Sequence, residues 1–239
     1  MEAPPAARAR PRNVVVIGAT GTIGSAVAVR LAARGDRVVL VARSNARLAA
    51  RAHLLGSGAR PLALDVASET APARLAAAVP DATDLVFALG SFPRTPLAEV
   101  GRADLAAAVL EHCALFLEAT RALAPAIARA GGGVVCFGDD GVERPFPNHV
   151  AYLAAKGALT ATVRALSLEL AQPPKGPVRV GIVAIGVVTD PEIEDPDRAA
   201  LLANRSRLGR TGTPQEVAQV ALAMLDATWV TGEVWHVGR

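Results

Sequence analysis

The stretch NVVVIGATGTIG at residues 13–24 decides the fold. Val14, Val15, Val16 and Ile17 are four consecutive β-branched residues, a strand that needs apolar neighbours on both faces. The strand runs into glycines at 18, 21 and 24. An Ala- and Leu-rich stretch follows, in which Ile23, Val27 and Leu31 recur at helical spacing. Strand, glycine loop and helix together suit the pyrophosphate of a dinucleotide. Gly18 lets the chain turn off the strand, Gly21 lets backbone approach the phosphates, and Gly24 lets the helix pack close to the sheet. The helix start then presents N–H groups and the positive end of its dipole. Gly18, Thr20, Gly21, Thr22, Ile23 and Gly24 are therefore the candidate phosphate loop. Its spacing is G-x-x-G-x-x-G rather than the commoner G-x-G-x-x-G, and a tight turn that holds no nucleotide is the alternative.

Outward from that loop the same alternation repeats. Apolar runs occupy residues 37–41, 84–89, 134–137 and 178–185, with a weaker one at 61–64 and a last one at 233–237. Helical patterns lie between them, the longest over about 150–171. This predicts an α/β fold, a doubly wound, Rossmann-like, parallel seven-stranded sheet in three layers, forming a single domain over residues 13–239. Residues 1–12, which carry Arg8, Arg10 and Arg12, read as a disordered basic tail. The polar segment with Asp190-Pro191 and Asp195-Pro196 reads as a substrate lid over about 187–209.

Composition narrows the function. The chain has 239 residues, 51% hydrophobic and 20% charged, which supports a packed core and argues against wholesale disorder. Its net charge of +3 is matched by the three tail arginines alone, so no nucleic-acid footprint is expected. No apolar run reaches the roughly 18 residues of a membrane span, and the N-terminus lacks the apolar centre of a secretory signal. Cys113 and Cys136 show no metal-type spacing, nor do His53, His112, His149 and His236. A cytoplasmic protein without a metal site is the expectation.

The second strand leads into VARSNAR, and Arg43 and Ser44 stand where an acid would bind a ribose 2′-hydroxyl. A guanidinium pairs with a 2′-phosphate through two N–H donors, which favours NADP(H) over NAD, although a solvated surface arginine fits the same sequence. Asp65-Val66 follows the third strand and serves either an adenine amine or a helix N-cap. Further on, Tyr152 and Lys156 lie one helical turn apart on one face. Tyr152 is the only tyrosine, and Lys156 is one of only two lysines, with Lys175. A phenol with its ordinary pKa of about 10 is a poor acid at neutral pH, and the ammonium is expected to lower that value. The phenol then protonates a carbonyl or imine as hydride arrives. An aromatic on a helix face beside a solvated lysine is the plainer reading.

From Pro11 onward the chain resembles the short-chain dehydrogenase/reductases. The resemblance rests on GATGTIG, Asp65-Val66, Ala88-Leu89-Gly90, YLAAK at 152–156, Ile185-Gly186-Val187-Val188-Thr189, and LGRTGTPQEVAQVALAML towards the C-terminus. It implies that Tyr152 is the proton donor and that Lys156 lowers its pKa and holds the nicotinamide ribose. It also implies cofactor contacts from Ala88, Leu89, Gly90, Gly186, Val188 and Thr189, a small-molecule substrate, and a homodimer or homotetramer. The departures are informative. The usual N-N-A-G is replaced by Phe87-Ala88-Leu89-Gly90. The usual helix Asn is replaced by Glu111 or His112. The usual Ser thirteen residues before the Tyr is Asp139, the third candidate catalytic residue.

Asp139 resembles the Asp of the pteridine and dihydromonapterin reductases, as do SFPRTPL at 91–97 and GVERPFPNHVAY at 141–152. There the Asp helps protonate a ring nitrogen. Asp139, Asp140, Glu143 and Glu111 form either an acidic pocket around Tyr152 or a set of solvated loop acids. His112 reads as a satisfied helix histidine. Phe92, Phe146, Ile193 and Leu201 read as an apolar substrate wall, and Trp229 and Trp235 as core or subunit interface. The expected function is an NADPH-dependent oxidoreductase that reduces a C=O or C=N bond. A non-redox cyclase, isomerase or dehydratase on the same scaffold is the alternative. A nucleotide sensor fits less well, because it has no need of a tuned phenol.

Overall fold

The computed structural model describes residues 11–171, 176–189, 196–204 and 206–238. Seven parallel strands form one sheet: β1 (Asn13–Ile17), β2 (Arg37–Ala42), β3 (Ala59–Ala63), β4 (Asp84–Phe87), β5 (Gly133–Asp139), β6 (Arg179–Ile185) and β7 (Val234–Val237). Their order is β3-β2-β1-β4-β5-β6-β7, the doubly wound Rossmann-like arrangement expected from the alternation. The helices are α1 (Thr22–Ala33), α2 (Asn45–Leu55), α3 (Ala71–Ala78), α4 (Arg102–Val109), α5 (Leu115–Ala130), α6 (Val150–Glu169), α7 (Pro196–Ala203) and α8 (Pro214–Asp226). A π-helical turn, Leu110–Ala114, joins α4 to α5.

Alternation along β1 builds both sides of the core. Val15 and Ile17 pack with Phe116 and Leu123 of α5 and Leu159 of α6. Val14 and Val16 pack with Val27 and Leu31 of α1 and Leu225 of α8. A strand buried on both faces has no polar alternation, which is why its sequence is a continuous apolar run. The edge strand β3 begins two residues before the predicted run and is largely exposed, and its Pro61 is tolerated at the sheet edge. The run at 84–89 stops being strand at Phe87, which leaves Ala88, Leu89 and Gly90 as a loop on the C-terminal rim. β5 instead extends to Asp139, which pairs with Ile185.

The opposite rim is held by charge. Buried Asp84 accepts from the Gly133 amide at 2.9 Å and from the Thr83 hydroxyl at 2.9 Å, and the Arg12 guanidinium lies 3.4 Å away. Burial pushes the Asp84 carboxyl up, against the pull of Arg12. Arg12 also reaches Asp226 at 3.2 Å, so this residue, read from sequence as tail, is tied into the domain. Residues 1–10 of the expected tail lie outside the described residues, as do 190–195 and 205 of the expected lid. No helix among the described residues is long and apolar enough to cross a membrane.

Candidate active site

The site forms where parallel strands end and loops begin, on the C-terminal rim of the sheet. Gly18 sits there in the left-handed region, with φ 81°, and a Cβ on it would lie 2.5 Å from the Ala88 carbonyl oxygen. A Cβ on Gly24 would collide with the Gly18 carbonyl oxygen. At Gly21 the nearest such atom, the Gly18 carbonyl oxygen, is 3.4 Å away, so a Cβ there would make only ordinary contact. Gly21 is the N-cap of α1 and caps it with no side chain, which leaves the start of a twelve-residue helix able to receive an anion. These are the features that a pyrophosphate requires, and the loop fits a dinucleotide.

Two cavities, of about 850 Å³ and 530 Å³, adjoin and share Ala88, Leu89 and Gly90 as walls. Gly18, Thr20, Gly21, Arg43, Ser44, Asp65 and Val66 line the smaller one. Ser44 also caps α2 by accepting from the Arg47 amide at 3.4 Å. Asp65 accepts from the Ala67 amide at 3.1 Å, so it caps its own loop while it borders the cavity. Arg47 lines the same cavity, four residues after Arg43 at the start of α2. Its spacing from Arg43 is the one signal of this in the sequence. Thr22, Ile23, Gly186 and Val188 line the larger cavity with Asp139, Tyr152 and Lys156. Gly24 and Thr189 border neither, and the Thr189 hydroxyl bonds that of Thr211 at 2.6 Å.

Tyr152 and Lys156 lie in the first turns of α6, which begins just after Asn148 at φ 68°, a conformation Asn tolerates better than most residues. Both side chains are buried. The Tyr152 hydroxyl donates to Asp139 Oδ2 at 2.7 Å, and Asp139 Oδ1 accepts from the Gly141 amide at 2.7 Å. Lys156 Nζ donates to the Phe137 carbonyl at 2.8 Å and lies 5.5 Å from the Tyr152 ring centre. This backbone acceptor leaves no residue-type signal in sequence.

The expected direction of tuning is overturned. Burial, and then the Asp139 carboxylate, push the Tyr152 phenol well above its ordinary value. The ammonium is not its hydrogen-bond partner, and burial pushes Lys156 itself down. Both causes acting on Tyr152 favour the neutral phenol over the phenolate.

The surroundings sort the remaining candidates. Phe92 stacks on His149 at 4.3 Å, meets Tyr152 edge-on at 4.8 Å and lies 5.9 Å from Phe146, which makes an aromatic wall. Leu201 is exposed and Leu202 borders the cavity in its stead, while Ile193 lies outside the described residues. Trp229 is fully exposed. The four acids do not form one pocket. Asp140 and Glu143 turn to His236, at 3.0 Å and 3.2 Å, and Glu111 accepts from the Ser91 hydroxyl at 2.5 Å. His112, read as a satisfied helix histidine, is buried in the π-turn and borders the larger cavity; its ring is turned to the Ser91 backbone, and Nε2 lies 3.7 Å from Glu111 Oε2. The π-turn that carries it has no compositional signature. Among the described residues no group of His, Cys, Asp and Glu could hold a metal ion.

Residues 18–239 match the sequence profile of the family described as enoyl-(acyl carrier protein) reductase. A protein of Streptomyces violaceoruber, named as ketoacyl reductase 2 of the granaticin polyketide synthase, is 32% identical over 235 residues, covering 92% of each chain. The 3-oxoacyl-(acyl-carrier-protein) reductase of Bos taurus is 31% identical over 226 residues, covering 92% of this chain and 93% of its own. An NADPH-bound short-chain oxidoreductase of Pseudomonas aeruginosa, described as containing an atypical catalytic center, superposes with TM-score 0.87 at 27% identity, covering 95% of each chain.

Proposed function

The chain belongs to the short-chain dehydrogenase/reductase family, and from that premise we propose that it is an NADPH-dependent reductase of a C=O or C=N bond in a small molecule. The observation that carries the reading is the Tyr152 phenol, bonded to Asp139 and one helical turn from Lys156, in a cavity that adjoins the glycine loop. Bound in that cleft, the nicotinamide supplies the hydride. The residues of the chain do the rest. Tyr152 hands its proton to the substrate oxygen or nitrogen, and Lys156, anchored by the Phe137 carbonyl, keeps a positive charge beside the phenol as negative charge grows there. Asp139 orients the hydroxyl, and its carboxylate favours a protonatable C=N substrate of the kind pteridine-type reductases accept. Arg43 and Arg47 border one cavity and support a bound 2′-phosphate, hence NADPH. Exposed Leu105 on α4, Leu117 on α5 and Leu168 on α6 support a homodimer or homotetramer.

The test is NADPH and NADH titration by fluorescence, followed by NADPH oxidation with acetoacetyl-N-acetylcysteamine and with dihydroisoquinoline, a C=N probe. Arg43→Ala is expected to lose about 1.5–3 kcal/mol of NADPH affinity, one charged contact, with NADH binding unchanged. Tyr152→Phe is expected to bind NADPH and leave it unoxidised. Equal affinity of the wild type for the two cofactors, or turnover by Tyr152→Phe, refutes the assignment.

A further inference from the structure

We propose that Thr95 is a positioning residue for the reduction: from outside α6 it caps the turn that carries Tyr152, and it pins the loop that sets Phe92 against the phenol. The inference rests on the reductase reading above and adds a residue to it.

Helix α6 starts without a cap of its own. Its N-cap is His149, whose side chain makes no capping bond and instead lies with Nδ1 2.9 Å from the Pro147 carbonyl. The free amides of a first turn need acceptors from elsewhere. Thr95, 56 residues before Ala151, supplies them: its hydroxyl oxygen accepts from the Ala151 amide, next to Tyr152, at 3.3 Å. Its carbonyl accepts from the Val150 amide at 3.4 Å, and its own amide donates to the Asn148 carbonyl at 2.6 Å. Thr95 and His149 thus pair as a short parallel bridge. A threonine oxygen on a first-turn amide is what an N-cap provides, here given from a distant part of the chain. Thr95 and Ala151 are both buried, which keeps bulk water from the bond.

Thr95 also ends a short strap that leaves the rim after β4. The near end of the strap is fixed by fit and by a hydrogen bond. A Cβ on Gly90 would lie 2.6 Å from the His112 Cε1, so that glycine sits tight against the ring, and the Ser91 hydroxyl donates to Glu111 at 2.5 Å. Thr95 fixes the far end. Between them Phe92 meets Tyr152 edge-on at 4.8 Å and stacks on His149 at 4.3 Å. Phe92 is 57% exposed, so burial alone does not hold it there. The two ends of the strap do. Thr95 borders neither cavity and therefore acts through Tyr152 and Phe92. Proton transfer needs the phenol within hydrogen-bond reach of the reacting atom, and a small misplacement costs a large factor in rate.

The test compares Thr95→Val, which keeps the shape and loses the hydroxyl, with Thr95→Ser, which keeps the hydroxyl. NADPH oxidation is followed with acetoacetyl-N-acetylcysteamine and with dihydroisoquinoline. Thr95→Val is expected to bind NADPH within about twofold of wild type and to lose about tenfold or more in kcat, with KM changed less than about threefold. Thr95→Ser is expected to stay within about threefold of wild type. Asp104→Ala removes a bond of the same kind, to the Gly101 amide at 2.8 Å, from the first turn of α4, and is expected to keep kcat. A readout free of turnover is the tyrosinate band of the single tyrosine. Burial holds the phenol up, so a loosened Tyr152 in folded Thr95→Val is expected to ionise at lower pH. Unchanged kcat and tyrosinate titration in Thr95→Val, a loss in Thr95→Ser as large as in Thr95→Val, or equal slowing by Asp104→Ala overturns the positioning role and leaves the reductase reading standing. Should Thr95→Val fail to fold, a tenfold loss of kcat in Thr95→Ser overturns it as well. Wild type that oxidises NADPH with neither probe refutes the reductase reading and the catalytic consequence with it, while a tyrosinate titration shifted in Thr95→Val still upholds the grip of Thr95 on the phenol.

Discussion

Replacing Asp139 by Asn keeps the shape of the contact to Tyr152 and removes its charge. The two oxygens lie 2.7 Å apart. At an effective dielectric of about 20, two unit negative charges at that distance repel by about 6 kcal/mol. Water in the cavity screens part of this, and half of it, about 3 kcal/mol, still moves the phenol–phenolate equilibrium about a hundredfold. Asp139→Asn is therefore expected to ionise Tyr152 at clearly lower pH than wild type, although burial, the largest cause, remains. The assay is unusually clean because Tyr152 is the only tyrosine, so the near-ultraviolet tyrosinate band of the folded protein reports one group. A linked effect has the same origin. A phenol held above its unfolded value contributes stability below about pH 10 and loses it as pH rises further, and the variant should lose less. If both proteins, folded by circular dichroism, show the same tyrosinate fraction at every pH, the carboxylate does not govern this phenol and the reasoning fails.

His112 titrates at about 4 in the fold against an ordinary 6.5, so its stability contribution is present above pH 6.5 and lost as pH falls towards 4. That loss is roughly 3 kcal/mol, and urea unfolding at pH 7 and near pH 4 should show it in wild type and not in His112→Leu. Gly24→Ala drives a Cβ into the Gly18 carbonyl, and the shifted loop should cost about 2 kcal/mol, or about thirtyfold, in NADPH affinity measured by fluorescence with the secondary structure kept. Asp84→Ala strands the Gly133 amide and takes one of its two carboxylates from the Arg12 guanidinium, which keeps Asp226. It should cost about 1–3 kcal/mol in thermal or urea unfolding, while the folded fraction, whose active site lies on the other rim, keeps its rate.

What the sequence made legible follows from burial. β1 and α1 were readable because a strand covered on both faces must be apolar throughout and a helix on a sheet must be apolar on one side. β3 blurred because an edge strand with Ala59, Arg60 and Pro61 carries no such demand. The Tyr152 and Lys156 spacing placed both groups in the cavity, because a helix fixes residues four apart on one face. It did not give the sign of the tuning. That depends on where side-chain ends go: Nζ to the Phe137 carbonyl, and the hydroxyl to Asp139. The setting of His112 was illegible for a related reason. An extra residue in a helical turn rotates a side chain through a large angle, and nothing in composition marks it.

The glycine at the end of the β4 loop and the imidazole opposite it occupy one volume between them. Neither position can therefore drift alone. A larger residue at 90 evicts the ring, and a smaller residue at 112 opens a hole beside the phenol. A variant library around this cleft should find the two positions exchanging size as a pair, so that bulk lost at 112 is tolerated best where 90 grows to meet it.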